Sequence, residues 1–104
     1  MFLTLNKQEK KEMLNCIRGC VNEVIFNKFL SFMNFNKNEK IILEMIRKQY
    51  SYQEIADEIN YSYRQVQRII DEILNKISKI ITTLDKQTDS TKEIFKIIFL
   101  ENMS

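Results

Sequence analysis

The sequence predicts an all-α protein of about five helices, and three observations carry that prediction. In 104 residues there is no proline and one glycine, Gly19, whereas all-β folds need both in their many turns and α/β phosphate loops need glycine. Helix-start signals recur along the chain as Asn6-x-x-Glu9, Asn36-x-x-Glu39, Ser51-x-x-Glu54, Ser62-x-x-Gln65 and Ser90-x-x-Glu93. In each, a cap oxygen stands three residues before an acid or amide, so each side chain can satisfy a free backbone N–H of the other. Between the starts, apolar residues recur at steps of three and four, the helical period.

These starts delimit helices at roughly 7–33, 38–49, 52–59, 63–84 and 91–102. The first segment puts Met13, Ile17, Cys20, Val21 and Val24 on one face. It then becomes apolar on most sides in "VIFNKFLSFMNF", as a helix does that is buried or meets a partner. Gly19 costs about 1 kcal/mol in a helix interior, so it bends the segment or splits it in two. The second helix turns Ile41, Ile42, Met45 and Ile46 inward, and the third Ile55, Ala56 and Ile59. The fourth carries Val66, Ile70, Ile73, Ile77, Ile80 and Leu84 in a heptad seam, widened by Ile69, Leu74 and Ile81. That seam packs on the protein's own helices or forms a dimer contact. "DKQTDST", 85–91, reads as a loop, and the apolar "KEIFKIIFLENM" after it must dock on something. The organisation is therefore an N-terminal segment for packing or dimerisation (1–35), a central unit (36–84), and a loop with a docking helix (85–104).

Composition removes several classes of function. There is no histidine, the commonest general base and zinc ligand, and no Gly-rich nucleotide loop. Two cysteines, Cys16 and Cys20, are too few for a structural zinc site, and a disulfide at their helical spacing would be distorted. They read as small hydrophobes in a reducing cytosol. The acidic pairs Asp57/Glu58 and Asp71/Glu72 read as solvated helix faces, so no enzyme, cofactor or metal site is expected. No apolar run is long enough to span a membrane, and the charged N-terminus is not a secretory signal, so the expected location is the cytoplasm. The net charge of +2 neither demands nor excludes nucleic acid. Abundant Ile, Asn and Lys fit an AT-rich genome, that of a low-GC bacterium or its phage.

The pair of short helices at 52–59 and from 63 onward has the pattern of a helix-turn-helix. Ile55 and Ile59 face the core, Ala56 is small where the second helix crosses, and Asn60 sits where the turn often needs a left-handed residue. Val66 and Ile69 face inward from the second helix. The stretch 35–77, about 40% of the chain, resembles the four-helix DNA-binding domain shared by LuxR/GerE-type regulators and region four of sigma factors. Asn36 stands at the family's Thr cap, Glu39 at its Glu, "QEIA" 53–56 at its Lys-Glu-Ile-Ala block, Ser62 and Val66 at its Ser-x-x-x-Val, and "KI" 76–77 at its end. Gln49 departs from a common Gly, and Gln53, Gln67 and Ile69 from residues often Lys, Lys and His in the LuxR-type branch. These changes favour a sigma-like or phage-regulator branch, and "YSYRQVQRI" is similar to small phage regulators of the ArpU and RinA kind. The stretch before residue 35 is expected to be too short for the sigma domain that melts the promoter.

The resemblance implies a sequence-specific, double-stranded DNA-binding transcriptional regulator. In this class the second helix, here 63–80, enters the major groove with its N-terminal residues on the base edges. The outward residues are Tyr63, Arg64, Gln65, Gln67 and Arg68, with Asp71 further along. Arg pairs bidentately with guanine and Gln with adenine. Ser51, Tyr52, Gln53 and Ser62, at helix starts, are placed to meet phosphates, and Lys37, Lys40, Arg47 and Lys48 to add to them. A two-fold homodimer would read a palindrome, through the first helix, the 66–84 seam or the last helix. The alternative is a protein-interaction module that binds RNA polymerase or another regulator through its apolar helices, with the helix-turn-helix as scaffold.

Overall fold

A computed structural model describes residues 5–101. Among them are six α-helices and no strand: α1 Lys7–Arg18, α2 Glu23–Met33, α3 Lys37–Arg47, α4 Tyr52–Ile59, α5 Tyr63–Thr82 and α6 Asp89–Phe95. A 3-10 turn, Leu84–Lys86, precedes α6, and a π-helical turn, Lys96–Leu100, continues it. Residues 1–4 of the N-terminal segment and the expected end of the last helix at 102 lie outside the described residues.

The helix count exceeds the expected five because the first segment is two helices. α1 ends at Gly19, whose N–H reaches the Asn15 carbonyl, and Asn22 starts α2 by accepting the Ile25 N–H at 3.1 Å. The four residues between the helices, 19–22, reset the phase. Val21 and Val24, expected on the inward face with Met13 and Ile17, are instead 88% and 63% exposed.

The capping boxes expected at Asn6, Asn36, Ser51 and Ser62 all form, with both reciprocal bonds present. The fifth does not. Thr88 caps α6, accepting the Thr91 N–H at 3.3 Å, so the helix begins at Asp89 and Ser90 lies inside it. In α3, Ile42, Leu43, Met45 and Ile46 are buried while Ile41 is exposed. Leu43 and the buried Glu39 turn the inward face away from Ile41.

One continuous apolar cluster draws on every helix. The α5 seam closes on it intramolecularly: Val66, Ile70, Ile73, Leu74 and Ile77 are buried, and Ile69, Ile80, Ile81 and Leu84 are half-buried against it. The other half of the core is aromatic. The Phe29 ring of α2 lies 5.6 Å from Phe95 and from Phe99, 5.9 Å from Phe26 and 6.1 Å from Phe35. Three of the four contacts are edge-on, the arrangement the ring quadrupole favours, each adding about 0.5–1.5 kcal/mol beyond burial. The apolar α6 and its π-helical extension therefore dock on α2 and α1 of the same chain.

A charged tie joins α3 to α5. Glu39 is 2% exposed; its Oε1 accepts the Asn36 N–H at 2.9 Å and its Oε2 meets the Lys76 ammonium at 2.6 Å. A carboxylate this buried is tolerated because both oxygens are satisfied. Cys16 is buried, Cys20 half-buried, and both thiols are free. None of the described helices is long and apolar enough to cross a membrane.

Candidate nucleic-acid interface

The geometry of the candidate site is set by two short, sharply terminated helices. α4 has eight residues. It starts where the Ser51 hydroxyl accepts the Glu54 N–H at 3.1 Å and Glu54 Oε1 accepts the Ser51 N–H at 2.9 Å. Ser51's backbone N–H, and then its hydroxyl, hold the exposed Glu54 carboxyl below its ordinary pKa. The helix ends at Asn60, in the left-handed region at φ 60°, ψ 43°, and the Tyr61 N–H closes back on the Ala56 carbonyl at 2.9 Å. That six-to-one closure is how a helix stops within one residue. Ser62 then starts α5, its hydroxyl accepting the Gln65 N–H at 3.1 Å while Gln65 Oε1 accepts the Ser62 N–H at 2.8 Å. The turn is thus three residues, 60–62, and Asn38 of α3 holds it by donating to the Tyr61 hydroxyl at 2.8 Å. Ile55 and Ala56 are buried where α4 packs on α5, and the small Ala56 side chain permits close approach.

The same stop device ends α3. Gln49 has φ 73°, and the Tyr50 N–H closes on the Met45 carbonyl at 3.0 Å. This is the position where the resembled pattern commonly has glycine. A left-handed non-Gly residue carries strain, but here the side chain has a task glycine cannot perform. Its Nε2 donates to the Arg18 carbonyl at 2.9 Å, joining the end of α3 to the end of α1.

The predicted site residues divide into three groups. Arg64, Gln67 and Arg68 are exposed on the N-terminal half of α5, and their side chains make no hydrogen bond or ion pair among the described residues. Tyr63 beside them is 47% exposed, its ring 5.9 Å from that of the half-buried Tyr52. Burial raises the Tyr52 hydroxyl pKa, with nearby Arg18 opposing the rise. Ser51, Ser62 and Gln65 are exposed but occupied by capping, and the Gln53 amide donates to Asp57 at 2.9 Å.

One cationic expectation changes. Lys37, Lys40 and Lys48 are exposed as a phosphate contact requires, but Arg47 is not. Its side chain is 13% exposed, its guanidinium lies 4.9 Å from the Phe26 ring centroid, Nη1 donates to the Cys20 carbonyl at 3.4 Å, and Glu23 and Glu44 lie at 3.8 and 3.7 Å. Arg47 is an internal strut from α3 to α2, because the kink after Gly19 delivers a free carbonyl and an acid to it. Asp71, the acid expected further along the outward face, pairs with Lys10 of α1 at 3.3 Å. Neither Lys10 nor Arg18 stands out in the sequence as a site residue; only the ion pair of Lys10 with α5 and the effect of the Arg18 charge on Tyr52 of α4 single them out.

No family model, curated protein or solved structure matches the chain. The N-terminal half of α5 offers two guanidinium forks and one amide, unpaired and exposed, on a rigid helix.

Proposed function

We propose that the chain is a cytoplasmic, sequence-specific double-stranded DNA-binding regulator in which α4, the 60–62 turn and α5 act as a helix-turn-helix of the sigma region four and LuxR/GerE type. The observation that carries this reading is the set Arg64, Gln67 and Arg68, exposed and unpaired at the start of a helix that follows a sharply capped partner. Arg and Gln are the side chains whose bidentate geometry matches guanine and adenine edges in the major groove, at about 1–3 kcal/mol of discrimination per good pair. The backbone N–H groups and hydroxyls at the starts of α4 and α5 suit phosphates on either side. A homodimer would place two α5 helices on a palindrome. The buried part of the α5 seam is committed to the protein's own core, which leaves α1, α2 and α6 surfaces for such a contact.

Selection from a random duplex pool at low salt tests the reading: an enriched motif is expected, palindromic if the protein binds as a dimer. Absence of any enriched motif overturns it. A second reading, a module binding RNA polymerase or another regulator, is favoured by one observation, the exposed Val21 and Val24 at the α1–α2 kink. Arg64→Ala with Arg68→Ala separates the two, abolishing DNA binding in the first and sparing partner binding in the second.

A further inference from the structure

α1 is charge-segregated around its axis. At 3.6 residues per turn, Lys7, Lys10, Lys11 and Arg18 fall within an arc of about 100°, and Gln8, Glu9 and Glu12 within a separate arc of about the same width. An ion pair at one end and a charge effect at the other show which way the cationic flank faces. Lys10 meets Asp71, which lies one turn beyond Arg68 on α5. Arg18, at the other end, accepts from Gln49 through its backbone carbonyl, its guanidinium donates to Asn15 of the same helix at 3.4 Å, and its charge lowers the pKa of the Tyr52 hydroxyl on α4 against the effect of burial. The flank therefore runs beside the Arg64–Arg68 face from the middle of α5 to the start of α4. Lys7 and Lys11 on it are exposed and, among the described residues, have no ion-pair partner.

We infer that α1 is a second DNA-contacting element, in which Lys7, Lys11 and Arg18 meet the phosphate backbone that borders the groove occupied by α5, while Lys10 pairs with Asp71. The inference rests on the proposed reading of α5 and extends its footprint. A helix seated in the major groove lies between two phosphate strands about 12 Å apart. An element packed alongside it with a cationic flank is opposite one of those strands. Such contacts add affinity and salt dependence without base preference. The acids on the other flank of α1 are kept away from the strand.

The test is anisotropy titration of the full chain with a labelled mixed-sequence duplex two to three helical turns long, between about 50 and 200 mM salt. Lys7→Gln with Lys11→Gln should lower the slope of log K against log salt by about 1.8, and Lys11→Gln alone by about 0.9, on the scale of one phosphate per lysine. The motif enriched by selection should be unchanged. Glu12→Gln, which alters net charge on the opposite flank, should keep the wild-type slope. An unchanged slope for the lysine variants, beside lost binding for Arg64→Gln with Arg68→Gln, overturns the role of α1 and leaves that of α5 standing. A Glu12→Gln shift as large per charge as that of the lysines also overturns it, because net charge then explains both. A wild-type chain that binds no duplex, or binds equally without the two arginines, overturns the reading of α5 and this inference with it.

Discussion

Asn60 offers the cleanest test of the turn between α4 and α5. It is exposed, its side chain makes no hydrogen bond among the described residues, and its backbone is left-handed at φ 60°. Substitution there isolates backbone strain from packing. A left-handed residue with a Cβ costs roughly 1–2 kcal/mol, less for Asn and little for Gly. Asn60→Ala is therefore expected to destabilise the fold by about 1 kcal/mol, and a β-branched Asn60→Val by about 2 kcal/mol. Asn60→Gly should stay within about 0.5 kcal/mol of wild type. In thermal unfolding, 1 kcal/mol in a domain of this size corresponds to a shift of about 4–8 °C. The sign is what decides. If 60–62 were a continuation of helix, Ala would be the best residue available and would stabilise the chain by a few tenths of a kcal/mol or more over Asn. An Asn60→Ala variant more stable than wild type, or an Asn60→Gly variant less stable than Asn60→Ala, refutes the left-handed turn and with it the angle at which α5 is presented.

Three further outcomes follow from the structure. Thr88→Ala should cost about 1 kcal/mol by removing the α6 cap while Ser90→Ala stays within about 0.5 kcal/mol, read by urea unfolding; the reverse order would restore Ser90 as the cap. Burial, with Glu12 adding to it, raises the Cys16 thiol pKa; burial also raises that of Cys20, opposed by Arg47 and the Asn22 backbone. Iodoacetamide at a pH of about 8.5, where an unperturbed thiol is half ionised, should therefore alkylate both more slowly in the folded chain than after unfolding, the buried Cys16 more slowly than Cys20, with mass spectrometry as the readout. Glu54→Gln should lower the melting temperature at neutral pH, where the carboxylate is charged in both states; because the folded pKa is depressed, that difference should shrink as pH falls through the folded value, and a difference constant down to strong acid would contradict the Ser51 contacts.

What was legible in the sequence is what is local. A capping box involves four adjacent residues, so Asn6, Asn36, Ser51 and Ser62 announce their helices before any packing is known. The exposure of Arg64, Gln67 and Arg68 follows from the phase of Val66 and Ile70 within one helix. Failure came where the choice depended on something distant. Thr88 and Ser90 are both competent caps, and the docking of Phe95 and Phe99 on Phe29 decides which turn is used. Val21 and Val24 share a phase with Met13 and Ile17 only if α1 continues through Gly19, which it does not. The Lys10–Asp71 and Glu39–Lys76 pairs join residues far apart in the chain, and no local pattern links the partners, so the cationic flank of α1 and the sequestration of Arg47 show only in the packing of the helices.

The Phe29 cluster has a consequence for how the chain is made. The ring on α2 finds half of its neighbours, Phe95 and Phe99, far downstream on α6 and its π-helical extension. During synthesis α2 emerges first and must wait, its apolar face uncovered, while α3 to α5 with their local contacts assemble. Long-range closure of this kind is slow, and a face exposed in the interval is where nascent chains associate wrongly. The aromatic hub that joins the two ends of the fold is thus also its last checkpoint, and a ribosome stalled before α6 would hold a nearly complete protein with an open hydrophobic seam.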